Sequence, residues 1–378
     1  MAESNPYYCP LLFQGLYVEK VSNSQVRVAA CCLNQPGPVV DQIDFEHDPY
    51  LQHQRHQVLQ QQPPPGCETC YQDELNGTRS ARQDAIQNFP ENNYFVQVRK
   101  LDYNVDPICN AKCIQCTAYY SSSWAAEDQA HEKRIPRFFN HTRHNNLTQS
   151  IDVTTVHDLY FNGGEPMLSQ EPLAILKKID QVGNLKNLVL SLNTNGSVLP
   201  CDELVDLWKR CRSIRINFSI DAIGDAFEYI RNPLDWTTVY QNLCWMANLD
   251  IPRLVINIAY TMGVHNIDLV QETQSWALKQ SKNWKNYKNF YVKPCGGPLS
   301  LEHVSINLKQ AWLNLYPELT NLPQLEWQKV ACQELKKVNE HCTDQLWQDH
   351  LGMIDQRRGL DWKISLPELY RAYKKSLG

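Results

Sequence analysis

The chain has 378 residues, 43% hydrophobic and 20% charged, with 36 Lys and Arg against 41 Asp and Glu for a formal charge of −5. This is ordinary globular composition, long enough for a sizeable core and two or three domains, and it lacks the basic excess of a nucleic-acid binder. No apolar run reaches the ~18–20 residues of a membrane helix and MAESNPYYCP is not a secretory signal, so a soluble, cytoplasmic protein with neither a membrane nor a nucleic-acid partner is expected.

In chain order, residues 1–94 read as loop-rich. Two strands are expected at 15–19 and 25–30, separated by the turn residues Ser22, Asn23 and Ser24. The polar stretch 52–65, rich in Gln and ending in three prolines, reads as an irregular or extended surface segment. From residue 95 short apolar runs alternate with helical patterns. Strands are expected at 95–101, 158–162, 188–192, 214–220, 254–261 and 290–293, and helices near 171–182, 202–210, 236–248 and 267–280. Such alternation predicts βα units and a parallel sheet. The fold class is therefore α/β, and six strands suit a partial, TIM-like (βα)6 barrel, whose chemistry lies at the C-terminal strand ends. The basic stretch 131–144 reads as a solvated face or loop. Beyond residue 300 only amphipathic helices are expected, at 305–316, 323–338, 345–353 and 366–377. The expected division is 1–94, a barrel over 95–300, and a helical C-terminal extension over 301–378.

Fourteen cysteines in an intracellular chain call for a reason, because disulfides are disfavoured there and clustered thiols bind metal or do redox chemistry. Cys201, Cys211, Cys244, Cys295, Cys332 and Cys342 are scattered and read as inert thiols. Cys109, Cys113 and Cys116 instead form C-x3-C-x2-C on a loop after the first barrel strand. Three thiolates hold three irons of a [4Fe–4S] cube and leave the fourth open. An open coordination position is what a substrate-binding metal site requires. Zinc held by two or three of these thiolates is the alternative.

This loop resembles the signature of the radical S-adenosylmethionine (SAM) superfamily. Tyr119 through Trp124 is similar to the Ser-rich stretch that follows it in members with a twitch or SPASM-type auxiliary domain. Gly163, Gly164, Glu165 and Pro166 look like the family's GGEP motif, which binds the SAM amino group. Glycines admit close backbone approach and a carboxylate pairs with an ammonium. Asn193 and Asn195 resemble the third-strand motif lining SAM, and Ser219 the fourth-strand polar contact. Arg231 resembles the Arg that pairs with the methionine carboxylate, for which its fork is suited. A simple Asn-Gly turn at 195–196 and a helix cap at Ser219 or Asp221 are the competing readings. The resemblance covers about residues 95–295.

Cys9, Cys31 with Cys32, and Cys67 with Cys70 resemble the auxiliary cluster unit of twitch-type proteins, placed before the barrel rather than after it, as in tailed-phage proteins of this kind. Cys9, Cys32, Cys67 and Cys70 supply four thiolates for a second [4Fe–4S] cluster, with Cys31 spare or a substitute for Cys32. A zinc site fits the same spacing.

The resemblance implies reductive cleavage of SAM to methionine and a 5′-deoxyadenosyl radical that abstracts hydrogen from a substrate, expected to be a peptide or protein. It also implies an electron donor such as flavodoxin or ferredoxin. Modification of a nucleotide or small metabolite, and a non-catalytic iron–sulfur binding protein, are the alternatives.

Overall fold

A computed structural model describes residues 5–21, 25–77, 79–89, 94–104, 106–131, 150–317, 326–336 and 342–377. Most of the basic stretch 131–144, and parts of the helix expected at 323–338, lie outside the described residues. In chain order the elements are α1 (Leu11–Gln14), β1 (Gly15–Lys20), β2 (Val26–Ala29), β3 (Val39–Val40), α2 (Pro49–Leu59), α3 (Glu68–Leu75), α4 (Ala81–Asn88), β4 (Lys100–Asn104), α5 (Ser122–Ala130), β5 (Asp158–Asn162), α6 (Glu171–Gln181), β6 (Val189–Thr194) and α7 (Asp202–Arg210). They continue with β7 (Ser213–Ser219), α8 (Gly224–Ile230), α9 (Trp236–Ala247), β8 (Leu254–Met262), α10 (Val270–Gln280), β9 (Tyr287–Pro294), α11 (Ile306–Leu315), α12 (Glu326–Lys336), α13 (Gln345–Arg358), α14 (Trp362–Ser365) and α15 (Pro367–Ser376). No helix among the described residues is long and apolar enough to cross a membrane.

The chain divides into two compact units whose limits differ from the boundaries expected at 94 and 300. The first comprises Met1–Ile108, Arg134–Leu192 and Pro200–Ile214, and the second Cys109–Lys133, Asn193–Leu199 and Arg215–Gly378.

In the first unit the strands run in the order β3-β2-β1-β4-β5-β6. The β1–β2 and β2–β3 pairs are antiparallel. The β1–β4, β4–β5 and β5–β6 pairs are parallel. β1 thus adds a strand to the parallel set, with Gly15 opposite Lys100 and Glu19 opposite Asn104. Along β5, Leu159 and Phe161 are buried and alternate with half-buried neighbours, as a strand covered by helices on one face requires. α6 buries Ile175, Leu176 and Ile179, and α7 buries Leu204, Leu207 and Trp208. The acidic first turn and basic last turn of α7 suit the helix dipole.

The stretch 52–65, expected to be irregular, is largely helical. α2 is capped by Asp48, whose side chain accepts from the Leu51 N–H, and Pro49 occupies its first turn. Leu51, Gln54, Arg55 and Val58 are its buried residues, spaced i, i+3, i+4, i+7. The signal was hidden because two of the four are polar. Arg55 satisfies its guanidinium on the carbonyls of Leu12, Phe45 and Glu46. α3 and α4 were likewise not expected.

In the second unit β7, β8 and β9 are neighbours in that order, and β8–β9 is parallel. Apolar strand residues Ile216, Phe218, Ile256, Ile258 and Met262 are 0% exposed, while Asn217 and Asn257 are buried polar positions on the same strands. Near its C-terminus, α13 to α15 enclose an aromatic group in which Trp347 meets Trp362 and Tyr373 edge-on. Gly359 ends α13 at φ 65°, a left-handed cap that favours glycine.

Candidate functional site

In the first unit, the chain leaving β4 is held by the Gly163–Pro166 turn. The Gly164 N–H donates to the Asp106 carbonyl at 3.0 Å and the Glu165 N–H to the Ile108 carbonyl at 2.7 Å. A methyl on Gly164 would lie 2.1 Å from the Ile108 carbonyl oxygen, so only glycine permits this backbone-to-backbone approach. Gly163 has φ 128°. Glu165 is buried, and its carboxylate accepts from the Met167 N–H at the 3-10 turn that Pro166 opens. Ser169 Oγ ties this turn back to Asp106 at 2.7 Å.

In the second unit the loop carrying Cys109, Cys113 and Cys116 is pinned at nearly every residue. The Lys112 and Ile114 N–H groups donate to the carbonyls of Asn232 and Ile230. The Ser121 and Ser123 hydroxyls donate to the carbonyls of Ala111 and Cys109. The Trp124 indole donates to the Cys113 carbonyl at 2.8 Å, and the Arg358 guanidinium lies over the Trp124 ring. Glu127 gathers Lys112 and Arg358, while Arg357 pairs with Asp128. A cavity of about 350 Å³ adjoins this loop, lined by Cys116, Ala118, Trp124, Pro298, Leu346 and His350 among others.

The three thiols share one electrostatic neighbourhood. Burial, then Cys113 and Cys109, push the Cys116 thiol up to about 12. Burial also raises Cys113, against the pull of Arg231. Such thiols must lose their protons to bind metal, so loading releases protons. Donors surround the sulfurs. The Ala111 N–H lies 3.4 Å and Asn195 Nδ2 3.8 Å from Cys109 Sγ, and Arg231 Nη1 lies 3.5 Å from Cys113 Sγ. Among the described residues no three His, Cys, Asp or Glu side chains are grouped to hold a metal ion. A cube takes its thiolates at separate corners rather than around one ion, and three thiols on one loop with N–H donors to their sulfurs suit it.

Asn195 also bonds Asn110, and Ser197 joins both. Asn193 accepts from Asn217, which in turn accepts from Asn257, forming a row of amides across three strands. Ser219 is half-buried at the end of β7. Arg231, expected to meet a ligand carboxylate, already has a protein one. It is 7% exposed and pairs with the fully buried Asp221 at 2.5 Å. Asp221 also accepts from Gln115 and the Thr261 N–H. The sequence offers Asp221 only as a helix cap; its place as this hub comes from the packing.

The N-terminal thiols lie in the first unit. Cys9 feels Cys67 and Cys70, Cys67 feels Cys31 and Cys70, and Cys31 feels Cys9, each of Cys9, Cys31 and Cys67 being raised to about 12 chiefly by burial. Cys31 also feels the adjacent Cys32, so the couplings join Cys9, Cys67 and Cys70 to the Cys31–Cys32 pair. Cys32, expected as the fourth member, is exposed. A tight turn runs from Cys31 to Asn34. The Asn34 N–H donates to the Cys31 carbonyl, and its side chain reaches Cys67 Sγ at 3.3 Å.

Three thiols on the one loop that follows β4 in the chain are the residue type a thiolate-ligated cofactor takes. The profile of the radical SAM superfamily matches residues 103–277. Among curated proteins it is 22% identical over 184 residues to a GTP 3′,8-cyclase of Clostridium acetobutylicum, covering 45% of this chain and 51% of that one. It is 23% identical over 198 residues to molybdenum cofactor biosynthesis protein 1 of Dictyostelium discoideum, covering 50% of this chain and 29% of that protein. The chain thus matches about half or less of these curated relatives. Among solved structures, anSMEcpe with bound AdoMet aligns at 18% identity and TM-score 0.40, over 59% of this chain and 61% of that one. Streptococcus suis SuiB bound to S-adenosylmethionine aligns at 11% identity and TM-score 0.35, over 80% of this chain and 66% of that one.

Proposed function

We propose that the protein is a radical SAM enzyme whose cluster is held by Cys109, Cys113 and Cys116 and whose substrate is a peptide or protein. The observation that carries the reaction class is the pinned three-thiol loop, with Asn195 and Arg231 as donors to its sulfurs. When bound and reduced, a [4Fe–4S] cluster supplies one electron to SAM, breaking its sulfonium C–S bond to give methionine and a 5′-deoxyadenosyl radical. The chain's part is to fix the three thiolates, to leave one iron without a protein ligand, and to hold SAM. Gly163, Gly164, Glu165 and Pro166 with Asn193, Asn195 and Ser219 are the residues assigned to SAM. Cys9, Cys67 and Cys70, with Cys32 or in its place Cys31, are assigned to a second cluster or to zinc, in a twitch-like role. An electron donor of the flavodoxin or ferredoxin type supplies the reductant.

A nucleotide substrate is the second reading, favoured by the name of the GTP 3′,8-cyclase relative. Anaerobically reconstituted protein given dithionite and SAM is expected to release 5′-deoxyadenosine, and the triple variant C109A/C113A/C116A to release none. SAM binding without cleavage under any reductant would sink the enzymatic reading in favour of a non-catalytic iron–sulfur protein. Release stimulated by GTP but by no peptide would replace the peptide reading with the nucleotide one.

A further inference from the structure

Arg231 follows α8, and its side chain is almost wholly inside the protein. One nitrogen, Nη2, donates to Asp221, and the other, Nη1, faces Cys113 Sγ at 3.5 Å. Asp221 has no freedom to yield this partner. It is 0% exposed and is fixed by the Thr261 N–H at 2.7 Å and by Gln115 from the cysteine loop itself. The Asn266 side chain donates to the Asp221 carbonyl, anchoring the backbone as well. The two terminal nitrogens are thus engaged, by a carboxylate that holds the fork and by a sulfur that it serves, while Nε is buried without a hydrogen-bond partner.

From this geometry we infer that Arg231 is a positioning residue that sets the reduction potential of the cluster through Cys113, and is not the ligand of the SAM carboxylate. The inference rests on the proposed assignment of Cys113 to the cluster. Hydrogen bonds to cluster sulfurs are among the main determinants of potential. An N–H donor from a cation stabilises a thiolate more as the cluster gains an electron, because the added negative charge strengthens the attraction. Asp221 cancels much of the distant field of Arg231 and keeps its fork aimed. What remains is the short-range N–H···S contact. Removing it makes the cluster harder to reduce without removing any group that touches SAM.

The test uses the full-length, anaerobically reconstituted protein and two variants. R231K keeps the charge but presents one nitrogen where the fork presents two, which weakens the contact to Cys113 Sγ. R231M/D221N removes both charges of the buried pair, which spares the fold an uncompensated ion. Potentials are read by EPR-monitored redox titration of the signal that SAM perturbs, and SAM affinity by equilibrium dialysis. In both variants the reduction equilibrium is expected to weaken about tenfold, which is about 59 mV more negative for one electron, with SAM affinity unchanged. An unchanged potential in both variants overturns the inference, and a collapse of SAM affinity alongside it returns Arg231 to the carboxylate. A wild-type protein with no SAM-responsive cluster would instead sink the underlying assignment of the three thiols, and this inference with it.

Discussion

His350 Nε2 donates to the carbonyl oxygen of Ile114 at 2.7 Å, so a helix 236 residues further along the chain braces the backbone between Cys113 and Cys116. The same helix, α13, sends Arg357 and Arg358 to Asp128 and Glu127 on α5. The loop is therefore held by sequence well outside residues 103–277. H350F is expected to lower the stability of the cluster-free protein by about 1 kcal/mol, read as the midpoint of urea unfolding. It should also speed amide exchange at residues 109–118. H350Q keeps a donor and should recover part of the loss, whereas equal losses for both variants would show that ring packing, not the hydrogen bond, matters.

Gly164 approaches the Ile108 backbone too closely for any side chain, with 2.1 Å to its oxygen and 2.7 Å to its carbonyl carbon. Backbone cannot swing aside as a flexible side chain can. G164A is expected to cost at least about 1–3 kcal/mol and to lower iron incorporation at the cysteine loop that follows Ile108 in the chain. A variant with wild-type unfolding midpoint and iron content would show that the turn accommodates a methyl group.

Cys31 and Cys32 offer a paired comparison. If Cys31 is the fourth thiolate of a second cube, C31S should lower bound iron by about four atoms per chain and C32S should leave it unchanged. The reverse pattern would restore Cys32 to the set. Bound zinc falling in C31S, with iron constant, would identify the site as zinc.

Two buried groups in the second unit should impose opposite pH dependences. His265 is 0% exposed, neither ring nitrogen has a hydrogen-bond partner, and burial holds its pKa down to about 3. The unfolded chain then binds more protons between about 3 and 6.5, so this group's contribution to stability is full above 6.5 and is lost as pH falls. Asp268 has one carboxylate oxygen buried without a partner, and burial raises its pKa to about 7. Here the folded chain holds the proton, so stability falls as pH rises from about 4 to 7. Each group alone gives at most about 1.4 kcal/mol per pH unit. Urea unfolding from pH 4.8 to 7.5 should show H265L losing the gain on raising pH and D268N losing the decline. Parallel curves for wild type and either variant would mean that the group titrates normally.

Much of the fold was legible in the residues. The strand at 158–162 and the helix at 202–210 match the sequence expectation to the residue, because the alternation of Leu159 with Phe161 and the spacing of Leu204, Leu207 and Trp208 leave little choice of period. The strand expected at 95–101 forms instead at Lys100–Asn104, where its partners β1 and β5 supply the register. α2 stayed hidden because its buried face includes Gln54 and Arg55, residues whose burial is tolerable only once Leu12, Phe45, Glu46 and Pro65 supply their hydrogen-bond partners.

The sequence by itself determined the chemistry that the chain can offer: three thiols at C-x3-C-x2-C, the Gly-Gly-Glu-Pro turn, and a second group of cysteines, because residue type and local spacing are fixed before folding. Tertiary structure decided which of these groups are paired and with whom. Arg231 meets Asp221 and Cys113, Asn34 reaches Cys67, and His350 reaches Ile114. Those choices depend on burial and on hydrogen bonds between segments far apart in the chain, and no local pattern encodes a partner that only the packed core brings within 4 Å.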